Sequence, residues 1–200
     1  TDAVPGHLAR FGQPTRHGQR LQLKIVLFAN TDWFLYNFKL SFARFLRDQG
    51  HQVVLVAPPG PYCDKLRDDG FRVVPLRMAR RSLNPFAEAG VLWRLSALYR
   101  SERPDLVHHL TIKCVVYGTF AARLSRVPAI VNAIEGLGFV FVNDAIKARI
   151  LRPLVRRLLR AALDEANVRV LLLNPDDLAT VKAMGVSGHA RLSVLPGSGI

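Results

Sequence analysis

Cysteine is scarce: Cys63 and Cys114 are the only two in 200 residues. That excludes a disulfide framework and makes a reducing cytosol the expected compartment. No apolar run approaches the ~18–20 residues that span a bilayer. The first twenty residues scatter Arg10, Arg16 and Arg20 among Gly, Pro and His, without the apolar centre of a secretory signal. Acidic residues are also in deficit, 15 against 28 Lys and Arg, for a formal net charge of +13. Such an imbalance points to phosphate on nucleic acid, on an anionic membrane or on a phosphorylated substrate. No P-loop, nucleophile elbow or zinc spacing occurs, so an NTPase or a metal site is not expected. What remains is a soluble or surface-bound cytosolic protein whose composition, half hydrophobic and 22% charged, can build one core.

Apolar runs and turn residues then alternate along the chain. Residues 1–23 carry no period and read as a flexible arm. Ile25–Ala29 is a continuous apolar run, the mark of a strand buried on both faces. Leu35, Phe38, Phe42, Phe45 and Leu46 follow at helical spacing, and Gly50 closes that helix. Further strands are read at Val53–Ala57, Phe71–Leu76, Leu106–Leu110, Ala129–Ile134, Val168–Leu173 and Arg191–Leu195. A short helix is expected at Tyr62–Asp68. A longer one opens at Asn84-Pro85, with Phe86, Ala89, Leu92, Trp93, Leu95 and Leu98 facing inward. Helices are also expected over Val115–Leu124, from about Ala145 to Glu165 with Pro153 dividing it, and after Asn174-Pro175. Strands alternating with helices imply an α/β fold, a Rossmann-like parallel sheet with helices on both faces. The expected organisation is an ordered domain at 24–195 and the start of an interdomain linker at 196–200.

In an open parallel sheet, ligands bind beyond the C-terminal strand ends. There the chain delivers Asn30, Thr31 and Asp32, then His108, His109, Thr111 and Lys113, then Asn132, Glu135, Gly136 and Gly138. Alternation puts His108 and His109 on opposite faces, so at most one serves a given site. An Asn-Thr-Asp run after a strand is equally a helix cap. The turn after the first strand has no G-x-G-x-x-G, so a dinucleotide cofactor is not expected. Between Asp144 and Arg160, six basic residues and one acid leave a net +5. Arg149, Arg152, Arg156 and Arg160 fall on one side, opposite Ile150, Leu151, Leu154, Val155, Leu158 and Leu159. That stripe suits an anionic membrane, or equally a core-packed helix with a basic outer face. Arg77, Arg80 and Arg81, after the third strand, are candidates for lipid phosphate or diphosphate.

Several stretches together resemble the N-terminal half of a retaining, GT-B-fold bacterial glycosyltransferase of family 4. They are Lys24-Ile-Val-Leu-Phe-Ala-Asn-Thr-Asp-Trp-Phe-Leu-Tyr-Asn-Phe38, Gly50-His-Gln-Val-Val-Leu-Val-Ala57 and Arg103-Pro-Asp-Leu-Val-His-His-Leu-Thr-Ile-Lys113. Gly118, Ala121-Ala-Arg-Leu124, Gly136-Leu-Gly138 and Val194-Leu-Pro-Gly197 complete the set. The resemblance implies an acceptor-binding domain. The nucleotide-sugar would be held mainly by a C-terminal domain that this sequence does not contain, so alone the chain should not transfer sugar, and no other cofactor is implied. Implied substrates are a nucleotide-sugar and a lipid-linked, lipopolysaccharide or polysaccharide acceptor, met at the inner face of the cytoplasmic membrane. On this reading His108 and Thr111 contact the reacting sugar, and Lys113 stabilises phosphate or orients its turn. Gly136 and Gly138 admit close backbone approach. Glu135, where relatives often carry His, accepts from an acceptor hydroxyl, acts as base or orients its loop. Two other readings remain, a basic nucleic-acid-binding module and half of a sugar-nucleotide epimerase.

Overall fold

The structure, a computed structural model, describes residues 22–79, 85–137, 146–186 and 191–195, with two short strands before them. Those two, Thr15–Arg16 and Gln19–Arg20, pair antiparallel within the stretch expected as an arm. The main sheet has seven strands: β1 (Lys24–Phe28), β2 (Gln52–Ala57), β3 (Arg72–Pro75), β4 (Leu106–Leu110), β5 (Ala129–Ile134), β6 (Val168–Leu172) and β7 (Arg191–Val194). All pairings are parallel, in the order β3-β2-β1-β4-β5-β6-β7. Each expected strand is present within one or two residues.

The period of two divides the strand residues between two cores. Val26, Phe28, Val54, Val56, Val107, Ile130 and Val170 face one side, and Ile25, Leu27, Val53, Leu55 and Leu110 face the other. The second layer is closed by α1, which joins Asp32–Phe34, a π-helical segment Leu35–Lys39 and Leu40–Asp48, and by α2 (Cys63–Asp68). The first layer is closed by α3 (Pro85–Glu102), α4 (Ile112–Leu124), α5 (Ile146–Leu163) and α6 (Pro175–Ala183).

Three helical expectations change. In α1 the inward residues are Leu35, Leu40, Ala43 and Leu46, whereas Phe42 and Phe45 turn outward at 38% and 56% exposure. The π segment is the reason: one additional residue in the turn rotates everything after it by about 100°. In α3, Val91, Leu95 and Tyr99 are buried, while Phe86 and Trp93 lie on the surface. In α5, Pro153 does not divide the helix, which runs unbroken through it. Proline forfeits one intrahelical hydrogen bond, and an exposed ring on a helix packed over its following turns is tolerated.

The apolar stripe of α5 is committed to the core. Leu159, Ala162 and Leu163 are fully buried, and Val155 and Leu158 pack against the same cluster. The core-packed alternative therefore describes the stripe from Val155 onward, and Leu154 alone among its described leucines is largely exposed. Truncating Leu159 to Ala is expected to cost about 2–5 kcal/mol. Leu154→Ala should change stability by less than about 0.5 kcal/mol. Urea denaturation of both variants checks this; equal small losses would show that the helix does not dock by that face.

Candidate functional site

The strand order reverses direction between β1 and β4, and such a switch point opens a crevice at the C-terminal sheet edge. The residues that close it come from the β1–α1 turn, the end of β4 and the loop after β5.

Two of the three residues of the β1–α1 turn are engaged in building it. Thr31 is the N-cap of α1, its hydroxyl accepting from the Phe34 N–H at 3.1 Å. The buried Asp32 carboxylate accepts from Trp33 N–H at 2.9 Å and from Tyr62 N–H at 2.7 Å, joining α1 to the loop before α2. A methyl group at Gly60 would overlap that carboxylate, so the loop approaches as closely as it does because residue 60 is glycine. Asn30 stands half-buried at the end of β1.

On β4 the two histidines diverge, as alternation requires. His109 points into the α3–α4 layer, where Asn132 Oδ1 can only accept. His109 Nδ1–H therefore donates to it at 2.7 Å, and Nε2 accepts from the Tyr99 hydroxyl at 3.1 Å. Thr119 and Asn132 complete this network at 2.9 Å. His108 points to the α1 side. It is 8% exposed, Phe42 stands edge-on to it at 5.8 Å, and its Nε2 is buried without a hydrogen-bond partner among the described residues. Burial lowers the His108 pKa to about 3, with Lys39 and His109 pushing the same way. Burial likewise lowers that of His109 to about 4, against the opposing pull of Asn132. Both rings are neutral at physiological pH.

Thr111 follows at φ 79°, ψ 151°, a region that glycine occupies and a β-branched residue rarely enters. Lys113 is turned away from the crevice opening, with Nζ donating to the Ala79 carbonyl at 2.6 Å and to Glu88 at 2.9 Å. In the loop after β5, the Glu135 carboxylate meets Lys39 Nζ at 2.6 Å, the two side chains only 10% and 13% exposed. Gly136 is exposed at φ 106°. Leu137 N–H then donates to Asp177 Oδ1 at 3.3 Å, and Asp177 N–H to the N-cap Asn174 at 2.7 Å, tying the loop to α6. Gly138 lies outside the described residues.

The structure thus brings His108, Thr111 and Glu135 to one edge and adds Lys39, which sequence reasoning missed. A signal for Lys39 existed: it interrupts the apolar stripe of α1, four residues after Leu35 and three before Phe42. Of the basic candidates, Arg77 is exposed after β3, and Arg80 and Arg81 fall outside the described residues, as does the side chain of Arg149. Arg152 is half-buried, and Arg156 donates to the Ala183 carbonyl at 3.4 Å. The Arg160 guanidinium stands where a side chain at Gly185 would crowd it. Arg156 and Arg160 therefore meet the C-terminal end of α6, where the helix dipole favours cations.

A family model described as "Glycosyl transferase 4-like" matches residues 24–166. The chain belongs to the glycosyl transferase 4-like family. It is 25% identical over 165 residues to N,N'-diacetylbacillosaminyl-diphospho-undecaprenol alpha-1,3-N-acetylgalactosaminyltransferase of Campylobacter jejuni, covering 76% of this chain and 44% of that protein. It is 28% identical over 138 residues to UDP-Gal:alpha-D-GlcNAc-diphosphoundecaprenol alpha-1,3-galactosyltransferase of Escherichia coli, covering 68% and 34%. The chain therefore spans less than half the length of these curated relatives. Among solved structures, sucrose-phosphate synthase from Thermosynechococcus elongatus superposes with a TM-score of 0.63 at 14% identity, over 88% of this chain and 48% of that one. That likeness concerns the fold, a Rossmann-like α/β sheet, as expected from the sequence.

In this glycosyl transferase 4-like chain the two neutral histidines link stability to pH. The unfolded chain takes up protons near pH 6.5 that the folded chain refuses until about 3 or 4. Stability present above pH 6.5 is therefore lost as pH falls toward 4, by up to about 1.4 kcal/mol per pH unit for each ring. Urea midpoints measured between pH 7 and 4.5 should show that slope, and His108→Asn should reduce it by about half. Thr111→Gly should relieve the backbone strain and raise stability by about 1 kcal/mol. A loss of stability in that variant would show that the Thr111 side chain contributes more than its backbone costs.

Proposed function

We propose that the chain is the acceptor-binding domain of a hexosyl- or N-acetylhexosaminyl-transferase. The whole enzyme would move sugar from a nucleotide-sugar to a lipid-linked, lipopolysaccharide or polysaccharide acceptor, with a second domain holding most of the donor. The observation that carries this reading is the polar edge at the switch point, where His108 Nε2 is buried without a partner beside Glu135 and Lys39, in a chain of this family. The two curated relatives support the substrate class, since their names place a diphospho-undecaprenol sugar as acceptor.

The roles follow from the chemistry of the side chains. A neutral imidazole that resists protonation is a poor store for a proton at physiological pH but a good hydrogen-bond partner, so His108 orients an acceptor hydroxyl. The Glu135 carboxylate accepts from the neighbouring hydroxyl. Strained Thr111 stands at the same edge, and Asn30 and Gly136 line the approach. Thr31 and Asp32 shape the turn, and Lys113 orients the start of α4.

No helix among the described residues is long and apolar enough to cross a membrane. With the α5 stripe packed into the core from Val155 onward, membrane contact at the inner face rests on charge. The exposed residues Arg77, Arg156, Arg157 and Arg160 supply it, each worth ~1 kcal/mol near an anionic surface. One assay tests the whole reading: the full-length enzyme, a nucleotide-sugar and a polyprenyl-diphosphate-linked sugar in anionic vesicles. A new glycoside is expected, formed more slowly as salt rises and unaffected by duplex DNA. Release of free sugar alone would identify an epimerase half, and competition by DNA would favour a nucleic-acid module.

A further inference from the structure

Every described charge at the crevice is already paired. Lys39 meets Glu135 at 2.6 Å, and Asp32 is taken by two backbone N–H groups. The two histidines add none, since burial keeps both rings neutral. Hydrogen-bonding capacity is nevertheless left over. An ammonium has three donors and a carboxylate about four acceptor positions, and their contact consumes one of each. Beside them the His108 Nε2 atom is unpartnered in a ring more than nine-tenths buried. Phe42, 38% exposed, stands edge-on to the ring, and exposed side chains of this kind change rotamer within nanoseconds.

A buried, neutral cluster with spare donors and spare acceptors complements a group that has both and carries no charge. Adjacent hydroxyls of a sugar ring are such a group. An anion would have to displace Glu135 from Lys39, which leaves a carboxylate buried and unpaired. The fold goes out of its way to place this lysine. Lys39 ends the π-helical segment and departs from helical geometry at φ −123°, and a π turn inside an α-helix frequently marks a functional site.

We propose that Lys39 is a specificity-determining residue: by neutralising Glu135 it sets the crevice to accept an uncharged vicinal diol and to refuse an anionic sugar. His108 Nε2 takes one hydroxyl and the Lys39–Glu135 pair takes its neighbour. The diphosphate of a lipid-linked acceptor then lies outside this cluster. The inference rests on the acceptor-binding reading above and names the sugar that reading leaves open.

The test compares two probes on the 200-residue chain by NMR: methyl N-acetyl-α-glucosaminide, which is neutral, and methyl α-glucuronide, which is anionic. The neutral glycoside should shift the His108 ring and Lys39 ammonium signals, and the glucuronide should not. Glu135→Gln leaves Lys39 without its counter-charge and should tighten glucuronide binding at least tenfold. The double variant Lys39→Met with Glu135→Gln should lose that gain. Glucuronide binding by the wild-type chain as tight as that of the neutral glycoside would overturn the proposal. So would unmoved His108 and Lys39 signals, or an unchanged ratio in Glu135→Gln. The wild-type comparison needs no substitution, so it decides even where a variant does not fold. Failure of the transferase reading shows separately, as an absence of glycoside product from the full-length enzyme.

Discussion

The placement of β4 between β1 and β5 is the constraint on which the rest of the molecule depends. Its parallel pairing on both sides sets the register of Leu27 with His108 and of Phe28 with His109, and so assigns the two imidazoles to different layers. One is drawn into a fully satisfied network with Tyr99, Asn132 and Thr119. The other is left with a buried nitrogen and no partner among the described residues. Side chains of the same type, one position apart, become a structural tie and a buried ring with spare hydrogen-bonding capacity because a strand alternates. A shift of one residue in that register would exchange them.

The charge of +13 is distributed by the same logic. Three carboxylates near the core are each paired with a cation: Glu102 with Lys24 and the exposed Arg72, Glu88 with Lys113, and Glu135 with Lys39. Where a cation stands at a helix end it meets carbonyls, as Arg123 does at Ala161 and Arg156 at Ala183. Helix α5 shows the consequence for membrane contact. Burial of Leu159 and Leu163 in the core outweighs insertion of the same stripe into lipid, because one face cannot occupy both.

The sheet was legible in the sequence because fully buried parallel strands leave a signal that depends on few residues. A run such as Ile25–Ala29 has no competing reading at its length. The helices were less legible because their phase is cumulative. A single additional residue in the π turn before Leu40 moved Phe42 and Phe45 outward and brought Lys39 to the crevice, and no local composition announces that insertion. In α3 the spacing places Leu92, Leu95 and Leu98 against the core, but Phe86 and Trp93 face outward and Val91 and Tyr99 fill that layer. At the site, the strand-end rule located His108, Thr111 and Glu135. It could not separate residues that build the turn, as Thr31 and Asp32 do, from residues left available.

That separation is visible in which local rules the structure breaks. Thr31 caps a helix and Asp32 satisfies two N–H groups, so each obeys the ordinary chemistry of a turn. Thr111 occupies a backbone region suited to glycine, His108 buries a nitrogen without a partner, and α1 carries a π turn that ends on a nearly buried lysine. Each departure costs stability, and each falls at the same sheet edge. A fold selected for stability alone would place glycine at 111, a leucine at 108 and an unbroken helix through 39. The coincidence of three costs at one switch point indicates a constraint other than folding there, and binding is the constraint that such an edge can satisfy.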